Sequence, residues 1–237
     1  MKLYVYCLAE SVNSLLDSLT GISGSKVRLV NSEKFSVVVS DFAGDAVPVT
    51  RENALTHAAV VRSLLDQTTP LPFRFGTLAT ERELESYVTA RQAPLQAKLE
   101  LVRNCVELSV KIIWDRDWLE EPASQQEEKP GTAFLAQKRR AIQRSESRTA
   151  EAKNVATWLQ DRVGEFVRET RTDMNPTEKL LLAAAHLVER DSVQQYRARV
   201  ADARAERPEL HFLVSGPWAP YSFANIDLEF KTQFGVS

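Results

Sequence analysis

Few residues in this sequence of 237 amino acids have the type and spacing that catalysis or metal binding requires. The three histidines, His57, His186 and His211, are isolated, and none has a second histidine or a cysteine at metal-ligand spacing. The two cysteines, Cys7 and Cys105, lie in apolar runs and are expected to be buried thiols. No G-x-x-x-x-G-K-[ST], G-x-G-x-x-G or G-x-S-x-G motif occurs. The pattern therefore indicates no catalytic residue, metal site or cofactor, and only a Ser-His-Asp triad assembled from distant segments stays open.

A run of basic residues could attract an anionic partner. Lys138, Arg139 and Arg140 lie together, and Arg144 and Arg148 follow them. Such a cluster is either a patch for an acidic partner or the solvated face of a helix. No aromatic residues alternate with these side chains, and the chain carries a net charge of −2 from 30 Lys and Arg against 32 Asp and Glu. Both features argue against nucleic acid as the partner.

The segment 70–77, PLPFRFGT, has a composition that fixes the shape of its backbone. Its two prolines favour an extended path, and Gly76 permits a bend or a positive φ. Strand alternation would place Phe73 and Phe75 on one side and Arg74 on the other. The segment is either a strand edge with a turn or a shaped binding element, and the residues alone do not separate the two.

The segment 216–223, GPWAPYSF, combines two prolines with the aromatic residues Trp218, Tyr221 and Phe223. The prolines stiffen the backbone, and aromatic side chains offer a large contact area at a small cost in conformational entropy. We expect this segment either to fold back onto its own domain or to present an aromatic surface to a protein partner. The two outcomes are compatible with each other.

The elements that carry these segments in the first half mix strands and helices. Helix 52–67 is predicted from apolar periodicity that begins at Leu55. Thr80 and Glu83 form a capping box that begins another helix. The other elements predicted from β-branched runs, turn residues and prolines are strands at 2–8, 26–30, 34–40 and 105–114, an extended segment at 71–78, and helices at 10–20, 81–91 and 94–103.

The second half begins with an acidic, proline-containing linker, 115–131. A long helix is predicted over 132–171, followed by a helix at 192–206 and a strand at 209–215. The run 180–188, LLLAAAHLV, is ambiguous, because leucine and alanine favour a helix while a short apolar run also fits a buried strand.

We predict an α+β protein of two domains. The first covers 1–114, the linker covers 115–131, and the second covers 132–237 with the long helix and the aromatic tail. The most apolar run is about half of the roughly 20 residues that span a bilayer. No secretory signal is visible at the start of the sequence, so we expect a cytoplasmic protein with no membrane partner.

Five segments, in chain order, resemble the gas vesicle protein GvpF/GvpL family. They are LYVY at 3–6, PFRFGT at 72–77, GTAFL at 131–135 followed by KRR at 138–140, LAAAHLV at 182–188, and GPWAPYSF at 216–223. The sequence departs from the family pattern at Ala183, His186 and Ala219, where Asn, Tyr and Pro are usual.

The resemblance implies an accessory component of gas vesicles, the gas-filled protein shells that give cells buoyancy. It implies contact with the small hydrophobic shell protein GvpA and with other accessory proteins. It also implies that at least one domain is a modified ferredoxin-like α/β sandwich, that 180–188 is a strand, and that no residue is catalytic. We expect the long helical segment to join the two domains.

The site residues expected from the segments and the resemblance fall into two groups. Those expected to contact partners are Arg74, Phe75, Lys138, Arg139, Arg140, Trp218, Tyr221 and Phe223. Those expected to fix the backbone shape are Pro72, Gly76, Gly216, Pro217 and Pro220.

Three functions follow as hypotheses. The first is an assembly factor that binds the shell protein transiently. The second is a minor structural component that stays in the mature vesicle. The third, from a different class, is a ferredoxin-like binder of a small anionic ligand that uses Arg74 and the basic cluster.

Overall fold

The computed structural model describes residues 2–10, 19–32, 34–114, 130–174, 176–177 and 179–226. The chain divides into two compact units. The first unit contains the chain up to Glu107 and again from Pro217, and the second contains Leu108–Gly216. These units differ from the predicted division at 115–131, since Leu108–Trp114 contribute to the second unit and the aromatic tail to the first. Most of the predicted linker, and part of the predicted helix 10–20, lie outside the described residues.

Among the described residues, the first unit contains a five-stranded sheet and four α-helices. Its strands lie in the order β2-β3-β1-β4, and β5 also pairs with β1. The elements are β1 (Lys2–Glu10), β2 (Val27–Asn31), β3 (Phe35–Phe42), α1 (Arg51–Leu65), β4 (Leu71–Pro72), β5 (Leu78–Ala79), α2 (Glu81–Ala90), α3 (Gln92–Val102) and α6 (Tyr221–Ala224).

Strand β1 forms the centre of this sheet and is buried along most of its length. It pairs antiparallel with β3 from Lys2 opposite Phe42 to Glu10 opposite Phe35. The register of this pairing shifts between Val5 and Cys7, and the rings of Tyr4 and Tyr6 lie on the same side of the sheet with their centroids 4.6 Å apart. The predicted hairpin of β2 and β3 is confirmed.

Helix α1 packs through a different face from the one predicted. The buried side chains are His57, Val60, Val61, Leu64 and Leu65. Leu55, from which the predicted stripe began, is 59% exposed. The buried stripe instead begins at His57, which shares helical spacing with Val60, Val61 and Leu64.

The predicted start of α2 is confirmed. The Thr80 hydroxyl accepts a hydrogen bond from the Glu83 backbone nitrogen at 3.3 Å, and the Glu83 carboxylate accepts one from the Thr80 backbone nitrogen at 2.8 Å. This capping box satisfies two backbone donors at the helix start.

The second unit has the chain order of a ferredoxin-like fold, β-α-β-β-α-β. Its four-stranded sheet has the order β7-β8-β6-β9. The elements are β6 (Cys105–Trp114), α4 (Pro130–Val163), β7 (Val167–Asp173), β8 (Leu180–Glu189), α5 (Val193–Glu206) and β9 (Leu210–Trp218). The α+β class is thus confirmed, and α4 is the first crossover helix of this unit rather than a connection between units.

The predicted helix 132–171 is too long at its C-terminal end. Helix α4 ends at Val163, a short 3-10 turn follows at Gly164–Phe166, and Val167–Asp173 is strand β7. The sequence VRETRTD of β7 pairs antiparallel with β8, so sheet pairing overrides the helical tendency of its charged residues.

Run 180–188 is a strand, as the resemblance implied, and not the helix that its leucines and alanines favour. Strand β8 lies between β7 and β6, so both of its edges are hydrogen-bonded. Leu181 and Leu182 point to opposite faces and are both at most 1% exposed. A strand buried on both faces lacks the alternation that marks a half-exposed strand.

The core of the second unit lies between the sheet and its helices. It includes Leu108, Val110 and Ile112 from β6, Val155, Leu159 and Val163 from α4, and Tyr196 and Val200 from α5. Both cysteines are buried free thiols, as predicted. Among the helices described, none is long and apolar enough to cross a membrane.

Candidate functional site

The two motif segments of the first unit meet at one aromatic cluster around His57. We call Tyr4, Tyr6, His57, Phe75 and Tyr221 the His57 cluster. The ring of His57 lies 6.0 Å from that of Phe75 and 6.3 Å from that of Tyr221, measured between ring centroids. It stacks on Tyr6 at 5.7 Å. The cluster therefore joins segment 70–77 to the aromatic tail through a helix and the central strand.

Hydrogen bonds fix the position of Tyr4 within the cluster. Its hydroxyl lies 2.8 Å from Nδ1 of His57 and accepts a hydrogen bond from the Gly76 backbone nitrogen at 3.2 Å. Gly76 has φ +85°, a conformation that glycine adopts without strain. This is the positive φ that a glycine at this position permits, and the Gly76 N–H points at the Tyr4 hydroxyl.

Tyr6 is held in a similar way on the same face of β1. Its hydroxyl accepts a hydrogen bond from the Ile22 backbone nitrogen at 2.7 Å and lies 3.0 Å from the Ser40 hydroxyl. A Cβ atom on Gly21 would come within 2.3 Å of the Tyr6 hydroxyl. Glycine at position 21 therefore leaves the space that this hydroxyl fills.

His57 is neutral in this environment. It is 3% exposed, and burial lowers its pKa to about 4. Its Nε2 atom has no hydrogen-bond partner among the described residues. A neutral, rigidly packed imidazole can orient Tyr4 but cannot supply a positive charge near pH 7.

A buried carboxylate anchors the aromatic tail. Glu107 is 7% exposed, and its Oε2 and Oε1 atoms accept hydrogen bonds from the Ser222 backbone nitrogen at 2.7 Å and the Ser222 hydroxyl at 2.8 Å. Burial raises the pKa of the Glu107 carboxyl above its usual value, and the two bonds from Ser222 oppose that shift. The bonds also satisfy a backbone donor in the first turn of α6.

A lysine holds the other end of the same turn. Nζ of Lys98 donates to the backbone carbonyl oxygens of Ala224 at 2.7 Å and Asn225 at 2.9 Å. A cation at the C-terminal end of a helix is favourable, because the last carbonyls lack partners within the helix. Glu107 and Lys98 thus fix α6 at both ends.

The structure separates the predicted contact residues by exposure. Trp218 is 44% exposed and Tyr221 41% exposed, whereas Phe223 is 2% exposed. Arg74 is exposed and Phe75 is half-buried. Phe223 therefore anchors the tail inside the unit, while Trp218, Tyr221 and Arg74 reach its surface.

The residues predicted to shape the backbone lie in the sheet and in the tail. Pro72 is buried opposite Cys7 in the sheet. Gly216 has φ +116°, and Pro220 occupies the position before the first residue of α6. Pro217 lies within the last residues of β9.

The basic cluster belongs to the second unit. Lys138 and Arg139 are exposed on α4, and the side chain of Arg140 lies outside the described residues. These residues are therefore not part of the His57 cluster.

A groove of about 690 Å³ lies in the second unit between α4 and strands β7 and β8. Its charged lining is mixed, with Lys153 and Arg168 against Asp161 and Glu169. His186 also lines it; burial lowers the pKa of this histidine to about 4, and its Nδ1 lies 2.6 Å from the Tyr196 hydroxyl. This neutral histidine and the balanced charges do not favour an anionic ligand, and neither Arg74 nor the basic cluster lines the groove.

The remaining chemistry of the first unit does not suggest a reactive centre. Burial raises the pKa of the Cys7 thiol, which is the opposite of what a nucleophilic cysteine needs. Within the described residues, no group of three or more His, Cys, Asp and Glu side chains could hold a metal ion.

Sequence reasoning missed three residues of this site, His57, Lys98 and Glu107. His57 shares helical spacing with Val60, Val61 and Leu64, a signal that could have revealed its buried position. Glu107 stands alone in the apolar run CVELSV, and a carboxylate in such a run points to a buried partner. Lys98 gives no comparable signal.

The chain is an α+β protein of two units. It has two sheets, a ferredoxin-like second unit and a tail that is anchored on the first unit. A model of the protein family described as gas vesicle synthesis protein GvpL/GvpF matches residues 2–225. The chain belongs to this family of gas vesicle proteins, and family membership gives it an accessory role in gas vesicles.

Similar proteins support this assignment over nearly the whole chain. Gas vesicle protein F1 of Halobacterium salinarum is 27% identical over 239 residues, covering 99% of this chain and 98% of that protein. Gas vesicle protein L of a Streptomyces species is 27% identical over 253 residues, covering 94% of this chain and 92% of that protein.

Solved structures show the same fold. The crystal structure of GvpF from Anabaena sp. PCC7120 has a TM-score of 0.75 at 20% identity and covers 95% of this chain and 97% of that chain. The structure of GvpF from Microcystis aeruginosa has a TM-score of 0.73 at 18% identity, with 95% and 99% covered.

Proposed function

We propose that this chain is a non-enzymatic assembly factor that acts in the cytoplasm at growing gas vesicles. It binds the hydrophobic shell protein GvpA, together with other accessory proteins, before or during assembly. The observation that carries the proposal is a rigidly anchored tail that exposes Trp218 and Tyr221.

The physical need for such a factor follows from the shell. A wall that encloses gas must be apolar on one face, since that face must exclude liquid water. A protein with an extensive apolar face aggregates unless another surface covers it before assembly. A factor that covers this face transiently would keep the shell protein available for growth.

The tail has the properties of a contact surface for such a partner. Trp218 and Tyr221 are exposed, and both residue types are enriched among the residues that dominate binding energy. Glu107 and Lys98 fix the backbone that follows Tyr221, at Ser222 and at Ala224. A preorganised surface loses little conformational entropy on binding, which favours affinity.

Segment 70–77 supplies a second contact of different chemistry. Phe75 packs in the His57 cluster with Tyr221, while Arg74 is exposed beside it in the chain. An arginine next to an aromatic surface can bind carboxylates or carbonyls at the rim of an apolar contact. The basic residues Lys138, Arg139 and Arg140 are proposed to bind acidic surfaces of other accessory proteins.

The test is co-purification of the tagged chain with co-expressed GvpA. We expect wild type to retain the shell protein in a complex, and the double variant Trp218→Ala/Tyr221→Ala to lose most of it. The matched control is Val49→Ala/Leu55→Ala, which removes two apolar side chains that are 90% and 59% exposed elsewhere in the first unit. This control should bind like wild type.

Two results would overturn the proposal. If wild type purifies alone while GvpA aggregates, direct binding is wrong. If both double variants retain GvpA equally, the tail is not the contact. Persistence of the chain in vesicles washed with urea would favour the alternative role of a minor structural component.

A further inference from the structure

Helix α1 carries an apolar stripe on the face that points away from the core of the first unit. The helix packs into that core through a buried face that begins at His57 and ends at Leu65. On the opposite face Leu55, Ala58 and Ala59 are exposed, and they follow one another at the spacing of a single helix face. Leu55 is 59% exposed. We call the face that carries these three residues the outer face of α1.

Charged residues lie at both ends of the outer face. Arg51 and Glu52 are in the first turn of α1, and Arg62 and Asp66 are at its C-terminal end. All four residues are exposed. Each end therefore carries one positive and one negative charge, and the face as a whole is neutral. A surface with this balance does not repel a second copy of itself, and its apolar centre favours contact.

We propose that the outer face of α1 packs antiparallel against the same face of a second copy of this chain. A twofold axis between positions 58 and 59 places Ala58 opposite the partner subunit's Ala59. Side chains as small as alanine let two helix axes approach to about 8 Å, the lower end of the usual range. The inference is independent of the proposed function, because the outer face lies opposite the side on which His57 contacts Tyr221.

The charges favour the antiparallel arrangement over a parallel one. In the antiparallel register Arg51 lies opposite the partner subunit's Asp66, and the twofold axis repeats this pair at the other end of the contact. A parallel arrangement would instead place each charged residue beside its own copy, so that every such pair would be repulsive. The order of charges along α1 is therefore complementary to its own reversed sequence.

The same register gives Leu55 a suitable neighbour. It lies opposite the partner subunit's Arg62, whose aliphatic stem can cover the leucine side chain. The guanidinium at the end of that stem can then reach Glu52, which lies one turn before Leu55. The largest apolar side chain of the outer face is thus covered, and the charge of the arginine that covers it is balanced.

One helix of 15 residues from each copy makes an interface well below the standard size of about 1,600 Å², so the dimer should be weak and depend on concentration. Sedimentation equilibrium over a concentration series measures this directly. The mass of wild type should rise from 26.7 kDa toward twice that value. Leu55→Lys removes the apolar contact and places a cation opposite the partner subunit's Arg62, which should weaken dimerisation about tenfold or more.

The matched control is Leu213→Lys, because Leu213 has nearly the same exposure, 56% against 59%, and lies in the second unit. This variant should dimerise like wild type, and circular dichroism should show both variants folded. A wild-type mass of 26.7 kDa at every concentration would overturn the proposal and point to a different protein as the occupant of the outer face. Equal association of the two lysine variants would also overturn it.

Charge reversal tests the antiparallel arrangement. Arg51→Asp places a carboxylate opposite the partner subunit's Asp66 at both ends of the contact and should weaken dimerisation roughly fivefold. The double variant Arg51→Asp/Asp66→Arg exchanges the two signs and should recover most of the lost affinity. An acidic residue at the start of a helix and a basic residue at its end suit the helix dipole, so these variants should stay folded. A double variant as weak as the single one would overturn the proposed pairing.

Cross-linking tests the position of the twofold axis. Both native cysteines are fully buried, so an introduced thiol is the reactive one. With oxidised glutathione as the oxidant, Ala59→Cys should form a disulfide-linked dimer several times faster than Ala54→Cys. Both positions are exposed on α1, but position 59 lies beside the axis, whereas position 54 is separated from its copy by roughly 13 Å along the helix. Equal rates at the two positions would show collisional cross-linking and overturn the proposed pairing.

Discussion

Glu107 and Ser222, which are 115 residues apart in the chain, form a two-point contact. The carboxylate accepts one hydrogen bond from the serine backbone at 2.7 Å and another from its hydroxyl at 2.8 Å. This contact ties the aromatic tail to the strand that leaves the first unit, and it is largely hidden from water.

Replacing Glu107 by alanine should lower the free energy of unfolding by about 2 kcal/mol, because a buried backbone donor and a hydroxyl lose their acceptor. Glu107→Gln is the matched control. Its amide oxygen can accept from the Ser222 backbone nitrogen, and its amide nitrogen can donate to the Ser222 hydroxyl. Urea unfolding followed by circular dichroism measures both variants. Equal stability of the two would show that Glu107 does not hold the tail.

The dependence of stability on pH should distinguish wild type from Glu107→Gln. A carboxyl whose pKa is raised by folding contributes stability that is complete below its unfolded pKa and is lost as the pH rises through its folded value. Glutamine does not titrate. As the pH rises from 4.5 to neutrality, the free energy of unfolding of Glu107→Gln should therefore increase relative to that of wild type. A difference in unfolding free energy that is constant over this range would argue against the raised pKa.

His57 should have the opposite dependence on pH. Its pKa falls from 6.5 to about 4 on folding, so the unfolded chain binds the proton first as the pH drops. The stability it contributes is complete above pH 6.5 and decreases toward pH 4, by about 3 kcal/mol in total.

The variant His57→Asn tests this dependence. Its side-chain amide can still bond to the Tyr4 hydroxyl, but it does not titrate. The difference in unfolding free energy between wild type and His57→Asn should change steadily between pH 6.5 and pH 4. His186, whose pKa is also lowered by burial, is present in both proteins, so its contribution cancels in this difference. A difference that is the same at both pH values would mean that His57 charges freely in the folded chain.

The sequence predicted most elements of this fold, and its failures have physical causes. The predicted helix 132–171 extends into strand β7, whose charged residues are compatible with a helix, and only pairing with β8 makes this segment a strand. The run 180–188 carries no periodicity that separates a helix from a strand buried on both faces. Local patterns cannot reveal which partners a segment finds in the folded chain.

The candidate site illustrates the same limit. Arg74, Trp218 and Tyr221 could be selected from composition, and the structure places them at the surface. The contact of Glu107 with Ser222 could not be derived, because nothing local relates a strand carboxylate to a serine 115 residues away. The buried face of α1, by contrast, follows from the sequence if His57 is grouped with Val60, Val61 and Leu64, which share its helical spacing.

Gly21 and Tyr6 should be energetically coupled. An added Cβ at Gly21 would lie 2.3 Å from the Tyr6 hydroxyl, although the backbone at φ −94° suits any residue. Gly21→Ala should therefore cost about 2 kcal/mol through steric overlap. In the Tyr6→Phe background, which lacks the hydroxyl, the same change should cost about 1 kcal/mol less.

The control for this cycle is Gly24→Ala. Gly24 has φ +73° and open space around its Cβ position, so alanine is penalised by its backbone conformation and not by contact. Its cost of about 1 kcal/mol should be the same in the wild-type and Tyr6→Phe backgrounds, as measured by urea unfolding. Additive costs for Gly21→Ala and Tyr6→Phe would contradict the coupling.

Two aromatic residues of the tail should respond differently to truncation. Phe223 is 2% exposed and Tyr221 is 41% exposed, although they lie two residues apart. Phe223→Ala should destabilise the first unit by about 3–5 kcal/mol, because it leaves a cavity in a packed core. Tyr221→Ala should cost about 1 kcal/mol, since much of its ring contact is with solvent. Urea unfolding of both variants measures the difference. If the two losses are equal, the tail is not anchored through Phe223, and the exposed aromatic residues beside it lack a fixed support.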